Sequence, residues 1–228
     1  MQKISTSSAL DTYYDDLLYL FSTLSAAAEE NAALAPLATK AQITRDEVAS
    51  HQEKEKSIHA EVVKKRARTK YFDGNLDSEL LKSGMTMEQC VNRDYSHPEY
   101  KLFFEKHSAS DMVRLGISRE NQEVRSLLQK MESLAADHSF RSKHAFLLAL
   151  KVEKSEKADQ EYKQTLQTEK TFYAGANLKK DAWNKSRREV YVALQGLFPH
   201  DKNIADSFFQ EVKNADIEVE TPEPPTLS

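Results

Sequence analysis

The feature that most constrains this chain is the absence of proline between Pro98 and Pro199. Within that interval, the segment 141–197 contains no stronger helix breaker than Gly175, and its apolar residues recur at helical spacing. The segment is therefore predicted to form one helix, which would be about 85 Å long at 1.5 Å per residue. Because such a helix is longer than a compact small domain is wide, the molecule is predicted to be elongated.

The composition agrees with an all-α fold. Charged residues make up 30% of the 228 positions and hydrophobic residues 39%, a balance that is typical of long amphipathic helices. No segment alternates apolar and polar residues over a sustained run, so no strands are predicted. The predicted fold is an elongated, antiparallel, coiled-coil-like bundle of long helices, with a small helical module inserted between its arms.

Helix breakers divide the chain into four predicted regions. Pro36 either starts a helix or kinks one, and the turn-forming run Asp73-Gly74-Asn75 is predicted to end the first long arm. The regions are a kinked or broken N-terminal arm (1–72), a module of short helices (73–117), a second long arm with a terminal helix (118–214) and a disordered acidic tail (215–228).

Charge and cysteine content narrow the classes of partner and compartment. The tail from residue 215 carries four acidic residues and no Lys or Arg, which accounts for the whole net charge of −4 and leaves residues 1–214 neutral. A neutral body has no general attraction to nucleic acid or anionic lipid, so nucleic acid is not a predicted partner. Cys90 is the only cysteine, and no apolar signal segment follows Met1. The predicted location is the cytoplasm, with peripheral membrane contact only through local basic patches.

A polar stripe on the first arm is a weak candidate for a metal site. His51, Glu55 and His59 follow one another at a spacing of four, which places imidazole and carboxylate ligands on one helix face. The chain has no Glu-x-x-His or His-Glu-x-x-His motif, so a solvated helix face is the favoured interpretation and no cofactor is predicted. If Phe72 packs near Arg141, His51 would face the region around residue 159. The two polar stretches would then form either a buried polar layer or a hydrated, loosely packed region between the helices.

Two groups of basic residues are candidates for binding phosphate groups or an anionic surface. The first group could instead stabilise the negative end of a helix dipole, whereas the second is predicted to lie in the middle of a helix. The two groups are predicted to form separate sites. They consist of Lys64, Lys65, Arg66, Arg68 and Lys70, and of Lys179, Lys180, Lys185, Arg187 and Arg188.

No pattern in the sequence predicts catalysis. The chain has no glycine-rich phosphate loop, no Gly-x-Ser-x-Gly and no second cysteine for a metal ligand pair. The predicted function is therefore a non-enzymatic one, namely binding or scaffolding of an unidentified protein partner by an elongated homodimer. The homodimer is predicted because apolar seams on long helices need a second helix. The predicted partner surface is the segment 80–115 or the exposed faces of the arms.

Two alternatives remain open from the sequence. The length of 228 residues, the long kinked helices and the basic clusters on the arms resemble the proportions of BAR-type modules, a likeness of shape alone. That resemblance implies a curved dimer that associates with membrane surfaces. The other alternative is a helical-bundle metal-binding protein or enzyme that uses the histidine stripe.

Overall fold

The computed structural model describes residues 3–210, apart from the side chain of Lys202, so the predicted acidic tail (215–228) lies outside the described residues. The helices are α1 (Leu10–Glu30), α2 (Ala35–Cys90), α3 (Pro98–Phe104), α4 (Ala109–Met112), α5 (Ile117–Met131), α6 (Ser139–Leu197) and α7 (Lys202–Ser207), with a 3-10 turn at Ala32–Leu34. No strand occurs among the described residues, and none of their helices is long and apolar enough to cross a bilayer.

The prediction of an all-α bundle built on long helices is confirmed. Helix α6 runs unbroken for 59 residues, and it includes the whole segment for which a single helix was predicted. Helix α2 runs for 56 residues and packs against α6 in the opposite direction. Moving along α2 from Thr69 to Glu79, the contacts on α6 move backwards from Ala158 to Lys151.

The predicted helix end at Asp73-Gly74-Asn75 is wrong, because α2 continues through these residues to Cys90. A glycine in a helix interior costs only about 1 kcal/mol relative to alanine. The following turns bury Leu76 and Leu80 completely, and each such burial contributes about 1.5–3 kcal/mol. Burial therefore outweighs the local turn preference. The short helices predicted after residue 73 are reduced to α3 and α4.

The open question at Pro36 is answered by the position of the residue in α2. Helix α1 ends at Glu30, a 3-10 turn follows, and Pro36 is the second residue of α2. Proline is favoured in the first helical turn because its missing N–H has no partner there in any case. Pro36 therefore starts the long helix and does not kink it.

The first of two compact units joins the two ends of the chain. Among the described residues, it consists of 3–57 and 170–210, which include α1, the first part of α2, the last part of α6 and α7. Its core has fully buried leucines from α1, together with Trp183, Val190 and Leu194 from α6. Across this core, the hydroxyls of Thr44 and Ser186 are 2.7 Å apart.

The second unit is the continuous segment 58–169. Here the last part of α2 and the first part of α6 pack with α3, α4 and α5 around Leu80, Val124 and Phe140. Gly84 permits the close approach of α4, since a Cβ atom at this position would lie 2.6 Å from the Cβ of Ala109. This unit contains the carboxylate cluster described next.

Candidate functional site

Three carboxylates from two helices meet inside the second unit. Asp73 and Asp77 are one turn apart on α2, so their side chains extend from the same face, and Glu120 comes from the first turns of α5. One carboxylate oxygen from each residue lies within 4.8 Å of the other two. Among the described residues, no other group of three potential ligands is so close. We call Asp73, Asp77 and Glu120 the carboxylate trio.

The trio is shielded from solvent and lacks a compensating charge. Glu120 is only 1% exposed, and Asp73 and Asp77 are half-buried. One oxygen of each carboxylate is buried without a hydrogen-bond partner. Within residues 3–210, no Lys, Arg or His forms an ion pair with any of the three. Three neighbouring acids without a cation repel one another strongly at the low dielectric of a protein interior.

Burial and repulsion together raise the proton affinities of Asp73 and Glu120. Burial, followed by the negative charges of Asp77 and Asp159, raises the pKa of Asp73 to about 6. Burial, a hydrogen bond with Asp77 and the negative charges of Asp77 and Asp73 raise the pKa of Glu120 to about 9. Both groups therefore hold protons more tightly than ordinary carboxyl groups do. A cation placed among them would remove the cause of this repulsion.

Oxygen is the ligand type that hard divalent cations prefer, and three carboxylates give a cation more negative charge than it needs for neutrality. A cation held by the trio would also connect α2 to α5. The arrangement is thus suited to binding a metal ion and, through it, to holding two helices of the second unit together.

Further polar residues of α5 and α6 form a separate hydrogen-bonded group that includes Asp159. The hydroxyl of Ser118 donates a hydrogen bond of 3.1 Å to Asp159. The ammonium of Lys163 lies 2.6 Å from the Ser118 hydroxyl and 2.6 Å from the Asp159 carboxylate. Asp159 therefore has its own counterion, which the trio lacks.

The residues of the histidine stripe, which was predicted as a weak metal site, have surroundings that differ from one another. In the first unit, His51 is 3% exposed, stacks on Phe172 with ring centroids 4.3 Å apart, and meets Trp183 edge-on at 5.6 Å. In the second unit, His59 is exposed and lies 3.5 Å from Glu169. Glu55 is half-buried. The one ligand group found in the described part of the chain includes none of the three candidates.

The predicted register that placed His51 opposite residue 159 is wrong. That register required α2 to end near Phe72, whereas the helix continues to Cys90 and shifts the pairing with α6. The residues that pack on His51 are Phe172 and Trp183, so its surroundings are aromatic. Neither ring nitrogen has a hydrogen-bond partner.

His51 is expected to make the first unit sensitive to acid. Burial, and then the charge of Lys179, lowers the pKa of His51 below its ordinary 6.5. Below about pH 6.5, the unfolded chain therefore takes up this proton more readily than the folded chain does. The free energy of unfolding consequently falls as the pH is lowered through that range. The other charged groups near the ring are Lys54 and Lys180, which also lower the pKa, and Glu55, which raises it.

The His51→Phe variant should lose this pH dependence, because a phenyl ring keeps the stacking on Phe172 and cannot take up a proton. Urea unfolding, followed by the fluorescence of Trp183 between about pH 8 and about pH 5, measures the effect. Trp183 is the only tryptophan and belongs to the first unit. Stability curves of wild type and variant that run parallel with pH would contradict the assignment.

In the second unit, the first basic group is largely engaged by acidic partners. Glu161 accepts from Lys65 at 2.8 Å and from Arg68 at 3.3 Å. Lys64 lies 3.3 Å from Glu61 on its own helix. These are exposed or half-exposed pairs, which contribute little to stability and can be displaced. The proposal that Arg66, Lys70 and their neighbours bind anions stays a prediction.

The second basic group lies in the first unit and includes two residues with structural roles. Lys180 donates to the backbone carbonyls of Thr6 at 3.0 Å and Ser8 at 2.7 Å. Arg187 is 1% exposed and binds the carboxylate of Asp16 through two nitrogens. Arg187 is thus a core residue, and its assignment to an anionic surface is corrected. The predicted surface role of Lys179, Lys185 and Arg188 stays a prediction.

The sequence contained a weak signal for the trio that was interpreted as a turn. Asp73 and Asp77 are like charges at a spacing of four, an arrangement that destabilises a helix unless a partner offsets their repulsion. Their neighbours Leu76 and Leu80 indicate a helix with one buried face. Glu120, however, is more than forty positions away on a different helix, and no spacing rule connects it to the pair.

Comparisons of this chain with models of protein families, with curated proteins and with solved structures found no match.

Proposed function

We propose that this chain is a divalent-cation-binding helical protein in which the cation is held by the carboxylate trio. The observation that carries the proposal is the convergence of three carboxylate oxygens within 4.8 Å, without an ion-pair partner among the described residues. The proposal keeps the class of function that was predicted as one alternative, metal binding in a helical bundle. It moves the site from the histidine stripe to α2 and α5.

The role proposed for the cation is to clamp helices together, without a catalytic step. In the absence of a cation, burial and mutual repulsion force Glu120 to hold a proton at neutral pH, and this cost opposes the packing of α5 on α2. Binding replaces that repulsion by attraction of all three carboxylates to one ion. The stability of the second unit would then depend on the concentration of free cation.

The direct test is thermal unfolding of the full chain after removal of metals with a chelator. A divalent cation at about one hundred times its dissociation constant should stabilise the protein by about 2.7 kcal/mol, seen as a higher Tm by circular dichroism. Ca²⁺, Mn²⁺, Mg²⁺ and Zn²⁺ are tested separately, with NaCl at equal ionic strength as the control. The Asp73→Asn/Asp77→Asn variant should show no such shift. If none of the four ions raises the wild-type Tm beyond the NaCl control, the proposal fails.

We propose homodimer formation as a second function, as the sequence analysis predicted. It is supported by an apolar strip on α6 in the second unit, where Phe146 is 75% exposed and Leu147 and Leu150 are more than one-third exposed. Positions 146 and 150 are one turn apart, so a second helix can cover both. A solution mass of twice 26.0 kDa by light scattering supports the proposal, and a mass of 26.0 kDa contradicts it.

A further inference from the structure

Two more buried oxygen atoms without partners belong to residues near the trio. Asn121 follows Glu120 in α5, is 4% exposed, and its side-chain oxygen accepts no hydrogen bond. Ser155 on α6 is completely buried, and its hydroxyl has no hydrogen-bond partner either. Buried polar groups without partners are rare in folded proteins, and each one calls for an explanation.

The pairing of α2 with α6 places Ser155 opposite the α2 turn that carries Asp73. The Thr69 hydroxyl donates to the carbonyl of Ala158 at 3.0 Å, and Lys151 reaches Glu79 at 3.1 Å. Between these two contacts, antiparallel helices bring the α6 turn around residue 155 opposite the α2 turn around residue 73.

Asn121 approaches the trio from α5. It is the immediate neighbour of Glu120, and it lines a cleft together with Asp159. Ser118 and Asn121 both line this cleft and flank Glu120 in the first turns of α5, so the cleft runs along the part of α5 that carries Glu120. Asn121 and Ser155 are thus two neutral, buried oxygens without partners, and they come from the two helices that pack against α2 beside Asp73.

We infer that Asn121 and Ser155 complete an oxygen-only coordination site for Ca²⁺ with Asp73, Asp77 and Glu120. The inference rests on the proposed function and specifies its ion and its neutral ligands. Five protein oxygens suit Ca²⁺, which takes six to eight oxygen ligands in flexible geometry. Mg²⁺ retains several waters, and several oxygens of this site are closed to solvent. Zn²⁺ prefers nitrogen and sulfur ligands, and the site offers neither.

The test is calorimetric titration of the chelator-treated full chain with CaCl2, MgCl2 and ZnCl2 in separate experiments. Ca²⁺ should bind at least about tenfold more tightly than Mg²⁺ or Zn²⁺. The Ser155→Ala variant removes one oxygen with little change in volume, so it should weaken Ca²⁺ binding about tenfold. Without Ca²⁺, the Tm of this variant should equal or exceed that of the wild type, because a hydroxyl without a partner is removed.

The matched control is Ser83→Ala. Ser83 is also completely buried in the second unit, but its hydroxyl already donates to the carbonyl of Leu80 at 2.7 Å. This variant should keep the wild-type affinity for Ca²⁺. A second probe, Asn121→Ala, should weaken Ca²⁺ binding in the same way as Ser155→Ala.

The possible outcomes separate the inference from the proposed function. If Ca²⁺ binds and both Ser155→Ala and Asn121→Ala leave its affinity unchanged, the neutral ligands are wrong and the carboxylate site stands. If Mg²⁺ or Zn²⁺ binds more tightly than Ca²⁺, the choice of ion is wrong. If none of these ions binds and Mn²⁺ also fails, the proposed function fails and the inference fails with it.

Discussion

Replacement of Arg187 by alanine is expected to lower the free energy of unfolding of the first unit by about 3–5 kcal/mol, because it leaves a buried carboxylate without a partner. The guanidinium donates to Asp16 at 2.6 and 2.8 Å, and both residues are at most 2% exposed. Burial raises the pKa of Asp16 despite the attraction of Arg187. Burial of the two charges therefore lowers the free energy of unfolding, and removal of one partner lowers it much further.

The measurement is urea unfolding followed by the fluorescence of Trp183, which is 3% exposed in the same core. Arg188→Ala is the matched control, since Arg188 is the exposed neighbour and its loss should cost no more than about 0.5 kcal/mol. If Arg187→Ala does not fold, the apolar double variant Asp16→Leu/Arg187→Met still tests the idea. It should restore most of the lost stability, because it removes both charges together. A double variant as unstable as the single one would contradict the argument.

Glu120→Gln is expected to have opposite effects with and without a cation. In chelator near neutral pH, the variant should be about 1–3 kcal/mol more stable than the wild type, because the amide is neutral without taking up a proton and still offers a donor to the other two carboxylates. With Ca²⁺ present, the variant should bind the ion about a hundredfold more weakly or not at all, because one charged ligand is lost. The wild type should gain stability from the ion, and the variant should not.

The pH dependence of the cation-free protein gives an independent check of the same variant. The pKa of Glu120 is about 9 in the folded protein and starts from an ordinary value of 4.5. Between these values, the folded chain holds a proton that the unfolded chain has lost, so this group makes stability fall as pH rises. Glu120→Gln should flatten that slope. The control Glu153→Gln changes an exposed carboxylate of α6 and should leave the slope unchanged. A variant that is less stable than the wild type in chelator would contradict the repulsion within the trio.

The sequence predicts a helix and its ends correctly where the signal lies in the residues of that helix itself. Helix α6 was predicted correctly, because its apolar seam is continuous and Gly175 alone does not interrupt it. Helix α2 was ended too early, because the turn preference of Asp73-Gly74-Asn75 is visible in the sequence and the burial that overrides it is not. Propensity is a weak guide wherever tertiary burial opposes it.

The same difference between local and long-range signals explains what could be predicted for individual side chains. Arg187 was grouped with surface cations, although it occupies a seam position between Trp183 and Val190, and that spacing indicated burial. The trio could not be predicted, because Glu120 reaches Asp73 and Asp77 only through the packing of α5 on α2. Sequence periodicity assigns residues to helix faces, but it does not determine which faces meet.

The division of the chain into its two units has a consequence for biosynthesis. The second unit is one uninterrupted segment, 58–169, whereas the first needs residues from both ends, such as Ile4 and Asn184, whose backbone and side chain form hydrogen bonds of 3.2 and 2.8 Å. A ribosome releases the chain from its N-terminus onward, and domains fold as units when their residues are available. The second unit can therefore complete its core during translation. Helix α1 must wait, with Leu17 and Leu20 still uncovered by α6, until α6 has been made as far as Leu194. During that interval the apolar face of α1 is exposed, and a chaperone that covers it would prevent aggregation.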